Sequence, residues 1–274
     1  MTAKRQEPIR DSRESSISHL SQKKSFYDHH QNFANRTLVD YHISPGTTAK
    51  YSLIKERLGK RAFHSALDVG CSGNSFIHFL DNVRHRTFLD LAHRPLRYYS
   101  AYPKHHPTMG SITSMPFSNH SFDLITALDV IEHIKDDHAA AIELTRVLEP
   151  KGILVLTVPH RMKFYTNQDR LIGHYRRYEI PEVQALFESN GLRRLMTFGV
   201  YGQAMRVQFV QESNPEKMDQ DMVQLRSRYQ TNATFRRIWD KIVAIGAFFM
   251  KIDATFQPQR NLMNICMIFR KQET

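Results

Sequence analysis

The stretch that most constrains the fold is Ser65–Ala66–Leu67–Asp68–Val69–Gly70–Cys71–Ser72–Gly73–Asn74–Ser75–Phe76. A short apolar run, Ala66 to Val69, ends in a turn of small residues, and amphipathic sequence resumes with Phe76, Ile77, Phe79 and Leu80. That pattern predicts a buried parallel strand, a tight glycine turn and the N-terminus of a helix. Glycine suits a turn that a ligand must approach closely or that needs positive φ. Free N–H groups at a helix start favour a polar or anionic ligand. Arg86–Thr87–Phe88–Leu89–Asp90–Leu91 reads as a second strand ending in an acid. It lies roughly twenty residues past the turn, where an α/β nucleotide fold places a carboxylate for ribose hydroxyls. Taken singly, the turn fits a plain turn and the acid a solvated strand end; in this order they favour a nucleotide site.

The rest of the chain alternates in kind. Residues 1–25 are polar and serine-rich and are expected to be a disordered tail. Residues 26–60 read as an N-terminal helical flap broken at Ser44–Pro45–Gly46, with Tyr51, Ile54 and Leu58 on one face. A core over 61–202 continues with a short helix at 95–102 and a third strand at 108–112. A fourth strand is expected at 122–128, a long helix at 131–148 and a fifth strand at 153–159. The continuous apolar run Ile153–Val158 implies burial on both faces, as in a parallel sheet. After a polar, aromatic loop at 160–178 come a helix at 181–190 and a sixth strand at 192–200. A helical insertion over 203–260 and a closing strand within 261–274 complete a doubly wound α/β architecture.

Composition narrows the partners. The net charge of +11 suits an anionic partner such as nucleic acid, acidic lipid or a phosphate-bearing substrate, or simply a solvated basic surface. Two cysteines, Cys71 and Cys266, exclude a disulfide framework and a cysteine-rich zinc site, and fit a cytoplasmic setting. Neither a signal-peptide core nor a membrane-spanning run is apparent.

The ordered blocks carry a family resemblance. They are Leu67–Asp68–Val69–Gly70–Cys71, Leu89–Asp90–Leu91, Met115–Pro116–Phe117 with Ser121–Ile125, Leu128–Asp129–Val130–Ile131–Glu132–His133–Ile134, and Leu148–Glu149–Pro150–Lys151–Gly152–Ile153–Leu154. The chain resembles the Rossmann-like S-adenosylmethionine-dependent methyltransferases, nearest the type 11 group that includes ubiquinone-biosynthesis O-methyltransferases. The resemblance implies a mostly parallel seven-stranded sheet and S-adenosyl-L-methionine as cofactor. By position, Asp68, Gly70, Cys71, Ser72 and Gly73 would line the methionine part, and Asp90 would bind the ribose hydroxyls. Leu91 and Ile112 would sandwich adenine, Ser111 stands where the family has an acid for the adenine amino group, and Leu128 and Asp129 would close the floor. The turn departs from the family in carrying Ser72 and Asn74 where glycine is usual.

Further residues are candidates for acceptor chemistry. His133 is the leading base, since it follows the fourth strand and histidine titrates near neutral pH. The alternative is that Glu132–His133 only caps a helix. Asp129, Glu132 and His133 would share a helix face, an arrangement some ubiquinone-pathway relatives use for a divalent cation; no metal is assigned here. His174 is a second base candidate, and Arg176, Arg177 and Tyr178 are assigned to acceptor binding, or else to pinning their own loop. Ile238, Ile242, Ile245, Phe249 and Ile252 at helical spacing, flanked by Arg236, Arg237, Lys241 and Lys251, could cover a lipid-like acceptor, form a dimer contact or rest on an anionic membrane surface. The expected function is methylation, at oxygen, of a small or lipid-linked acceptor by a cytoplasmic protein, peripheral to a membrane in the last case. RNA methylation is a rival because of the basic charge, as is a non-catalytic binding protein because of the altered turn.

Overall fold

The structure is a computed structural model and describes residues 12–30, 34–203 and 215–273. Among the described residues three helices come first: α1 (Ser12–His29), α2 (Val39–Ile43) and α3 (Pro45–Leu58). Ser44 separates the last two; its hydroxyl accepts the Thr47 N–H at 3.2 Å and Pro45 occupies the first turn of α3, a favourable start for a helix. Strands β1 (Phe63–Val69) and β2 (Val83–Asp90) follow, then a single helical turn α4 (His93–Leu96) and strand β3 (His105–Met109). Next come β4 (Phe122–Leu128), α5 (Asp137–Val147), β5 (Leu148–Pro159), α6 (Asn167–Leu171), α7 (Ile180–Glu188) and β6 (Leu192–Tyr201). Two long helices, α8 (Pro215–Thr231) and α9 (Ala233–Phe256), precede the closing strand β7 (Asn264–Lys271).

The strands form one seven-stranded sheet in the order β3-β2-β1-β4-β5-β7-β6. The first five run parallel, while β7 is antiparallel to both β5 and β6. Strand order reverses between β1 and β4, which opens a crevice at their carboxyl ends. Ile265 to Phe269 and Ile153 to Val158 are buried, as expected for central strands covered on both faces. One face packs Leu144, Val147, Val183 and Phe187 of α5 and α7 against Leu67, Ile125 and Phe269. The other packs Tyr51 and Ile54 of α3 with Phe76, Ile77 and Tyr99 against Ala66, Leu124 and Ile268. Fully burying a side chain such as Ile54 stabilises the fold by about 1.5–3 kcal/mol.

Several expected elements differ. Residues 76–79 form only a single 3-10 turn, because β2 already begins at Val83 and leaves no room for a helix. The layer that a crossover helix would fill is supplied by α3, against which α9 packs. The expected tail is helical from Ser12, and its last turns are tied to the domain: Asp28 accepts the Arg94 N–H at 3.1 Å, and Lys23 donates to the His133 carbonyl. Residues 1–11 lie outside the described residues. The long helix starts at Asp137, not Ile131, because the Asp136 carboxylate caps it by accepting the Ala139 N–H at 2.9 Å. β3 lies three residues earlier than expected, with Pro107 tolerated on an edge strand.

Candidate active site

A cavity of about 430 Å³ occupies the crevice at the ends of β1, β2 and β4. The turn after β1 sets its floor. Gly70 has φ +65° and Ser72 φ +47°, and a Cβ on Gly70 would run into the Val130 side chain, so glycine is needed there. The Gly70 N–H donates to the Leu89 carbonyl at 2.8 Å, tying the two strand ends together. The Asp90 carboxylate accepts the N–H groups of Ser72 at 2.8 Å and Ala92 at 2.9 Å. Burial raises its pKa against those donors. Asp68 is held by the hydroxyls of Ser75 and Thr126; burial, opposed by those bonds, pushes its pKa up to about 6. Cys71, Leu91, Ser111 and Ile112 also line the cavity, as do Leu128 and Asp129.

Gly73 does not line the cavity. A Cβ there would fall on the carbonyl of Arg36, so its small size accommodates the N-terminal segment instead. That segment supplies the opposite wall, with Lys23, Tyr27, Arg36, Lys50 and Tyr51 all at the cavity. Tyr51 donates its hydroxyl to the Asn74 carbonyl. Lys50 reaches across to Asp129 at 2.5 Å, and Thr157 and Asn264 donate to the same carboxylate at 2.8 and 2.7 Å. Asp129 itself has φ +58°, which turns it toward these donors. Burial would raise its pKa, but Lys50 and the hydrogen bonds prevail and hold it down to about 2. Behind them Arg226 of α8 makes a buried ion pair with Asp40 at 2.7 Å.

His133 sits at the edge of this wall. Its Nδ1 lies 3.0 Å from the Tyr27 hydroxyl, and its ring meets that of His174 edge-on at 4.4 Å. Burial, and then the neighbouring His174 and Lys23, push its pKa down to about 3, so the imidazole is neutral at physiological pH. His174 is set back from the cavity; its Nδ1 pairs with Asp169 at 2.8 Å. Glu132 is fully buried with no hydrogen-bond partner on either carboxylate oxygen among the described residues, and burial drives its pKa well up. Its Oε1 lies 3.9 Å from His174 Nε2. Donor atoms of Glu132, His133 and His174 fall within 4.8 Å of one another, a set of types and spacing that could hold a metal ion. The trio suggested by helical spacing does not assemble, since Glu132 and His133 lie in a 3-10 turn and Asp129 is engaged by Lys50.

The residues assigned to acceptor binding lie elsewhere. Arg176 pairs with Asp137 at 2.5 Å, Arg177 grips Asp169 through Nε at 3.0 Å and Nη2 at 2.8 Å, and the Tyr178 hydroxyl donates to Asp137 at 2.8 Å. None of the three lines the cavity, so they fasten the loop to α5 and α6 rather than face an acceptor. Sequence reasoning missed Tyr27, Arg36 and Lys50. The available signal was Lys50 itself, a cation beside Tyr51 on the apolar side of an otherwise packed helix.

With this geometry in place, the comparisons with known proteins acquire a location. A family model described as a methyltransferase domain matches residues 67–156, the stretch from β1 to β5. A probable S-adenosylmethionine-dependent methyltransferase of Mycolicibacterium smegmatis is 27% identical over 157 residues, 56% of this chain and 61% of that protein. Residues 67–156 are similar to a methyltransferase domain. The chain spans about three-fifths of the length of the curated relatives it matches. Two solved structures share the fold of the methyltransferase domain and its surroundings. Phosphoethanolamine N-methyltransferase 2 of Haemonchus contortus aligns with TM-score 0.59 and 18% identity, over 91% of this chain and 60% of that one. The N-methyltransferase NodS of Bradyrhizobium japonicum aligns with TM-score 0.58 and 15% identity, over 91% and 100%. At these identities the likeness concerns fold alone.

The residues of the methyltransferase domain fit its cofactor. Asp90 presents a carboxylate to the cavity, and Ser72 Oγ and Asn74 Oδ1 are buried there without hydrogen-bond partners among the described residues. Ile112 and Leu91 offer apolar surface alongside.

Proposed function

We propose that this protein transfers a methyl group from S-adenosylmethionine to a hydroxyl of a small or lipid-linked acceptor, with His133 taking up the proton. The cofactor, when bound, supplies a methyl group on a sulfonium whose positive charge is lost on transfer. Asp90 would hold the ribose hydroxyls, Leu91 and Ile112 would flank the adenine with Ser111 at its rim, and Asp68, Gly70, Cys71 and Ser72 would shape the floor. Leu128 and Asp129 close that floor, while Lys50 and Tyr51 exclude water from above.

The observation that carries the reading is the neutral His133 imidazole at the cavity wall with a hydroxyl, that of Tyr27, within hydrogen-bond distance. An acceptor hydroxyl seated there would meet a base already in its accepting form. A pKa near 3 makes His133 a weak base by itself, because burial and the neighbouring His174 and Lys23 oppose an added positive charge. During transfer the imidazolium replaces a charge that the cavity is losing, so the net charge it holds is unchanged. His174 and Asp169 stand behind His133 and fix its edge, a positioning role rather than direct contact with an acceptor.

Calorimetric binding of S-adenosylmethionine, followed by labelled methyl uptake from a pooled lipid and metabolite extract, tests the reading. His133→Ala should leave cofactor binding intact and slow transfer about a hundredfold. Full transfer by that variant removes His133 as the base, and absence of cofactor binding removes the enzymatic reading.

A further inference from the structure

The outward face of α9 carries a second function-bearing feature, independent of the methyl-transfer reading. Ile238, Ile242, Ile245, Phe249, Ile252 and Phe256 recur at helical spacing and are 40–80% exposed. Val243, Ala247 and Ala254, on the opposite side, are buried toward α3 and β6. A helix on a protein surface ordinarily turns polar residues outward. Here the outward side is a continuous apolar line about 27 Å long.

Cations border that line. Arg237 and Lys241 are exposed beside it along the first half of the helix, and exposed Arg228 lies over the Phe235 ring at 4.3 Å. The acid on the same stretch, Asp240, accepts the Tyr229 hydroxyl at 2.7 Å. Among the described residues no helix is long and apolar enough to cross a membrane. We propose that α9 lies in the plane of an anionic lipid surface, its aromatic and aliphatic line entering the acyl boundary while Arg237 and Lys241 beside it meet phosphate headgroups. A second copy is the weaker occupant, because two chains of net charge +11 repel one another whereas anionic headgroups attract the same charge.

Docking in this way has a geometric consequence for the cavity. The inner side of α9 rests on the start of α3: Trp239 Nε1 donates to the Ile43 carbonyl at 3.2 Å, and a Cβ on Gly246 would meet Pro45 at 3.0 Å. Ser44 and Thr47, beside that contact, line the cavity. The lipid surface would therefore lie about one helix diameter, ~10 Å, from the cavity wall.

Flotation of the full chain with vesicles of phosphatidylcholine alone, and of phosphatidylcholine mixed with phosphatidylglycerol, tests this. The chain should float with the anionic vesicles and stay behind with the neutral ones. Ile245→Glu with Phe249→Glu should cut partitioning about tenfold or more with the unfolding midpoint unchanged. Arg237→Glu with Lys241→Glu should abolish the preference for anionic lipid. Failure to float overturns the proposal. A dimer that Phe249→Glu dissolves would assign the face to a second copy. A lowered unfolding midpoint in the Ile245→Glu, Phe249→Glu protein without vesicles would assign it to another segment of the chain.

Discussion

The two walls of the cavity are built by different means. The strand-end wall, from Gly70 to Asp90, is backbone geometry: left-handed turn positions, an N–H to the neighbouring strand's carbonyl, and a carboxylate fixed by two N–H groups within 18 residues of sequence. The N-terminal wall is assembled from long-range side-chain contacts, with Lys50 and Asp129 separated by 79 residues, Tyr27 and His133 by 106, and Arg226 and Asp40 by 186. Local geometry survives the loss of any one side chain. A wall held by a few buried ionic and polar contacts does not, because each removal strands a partner away from water.

The largest effect should come from breaking the second wall at its densest point. Lys50→Met leaves the Asp129 carboxylate with Thr157 and Asn264 only, and should lower the unfolding free energy by about 3 kcal/mol in a denaturant titration. A loss near zero would mean that the strand side alone satisfies Asp129. Gly73→Ala forces a methyl group onto the Arg36 carbonyl and should cost about 2 kcal/mol, read as faster hydrogen exchange over residues 34–58 with the sheet unchanged. Asp90→Ala addresses the first wall; cofactor affinity measured by calorimetry should weaken by about 1.5 kcal/mol while exchange over 34–58 stays the same.

The smallest effect is in pH dependence, where the two walls have opposite signs. Asp68 has a folded pKa of about 6, above its ordinary value, so the stability it contributes is complete at low pH and is lost as pH rises through 6. Asp129 has a folded pKa of about 2, below its ordinary value, so its contribution is present at neutral pH and is lost as pH falls toward 2. Each slope is at most about 1.4 kcal/mol per pH unit. Asp68→Asn should flatten the upper window in pH-dependent melts and leave the lower one in place.

The same division explains what could be read from the sequence. Asp68, Gly70, Asp90 and Leu128 belong to short strand–turn blocks whose spacing is dictated by the sheet, and they meet at the cavity as expected. Boundaries were less legible: Asp136 competes as a cap and delays α5, and the short β1–β2 connection leaves only a 3-10 turn. Arg176, Arg177 and Tyr178 carry the residue types of an anion site, yet their carboxylate partners Asp137 and Asp169 are a matter of tertiary placement. Tyr27 was invisible for the same reason, as α1 has little apolar periodicity and its contact with His133 spans 106 positions.

The contact of Arg36 with Gly73, reinforced by Tyr51 on Asn74, bears on kinetics as well as stability. A ligand as bulky as a nucleoside cannot pass between these groups while they touch. For a ligand to pass on this side of the cavity, the N-terminal helices would have to swing aside.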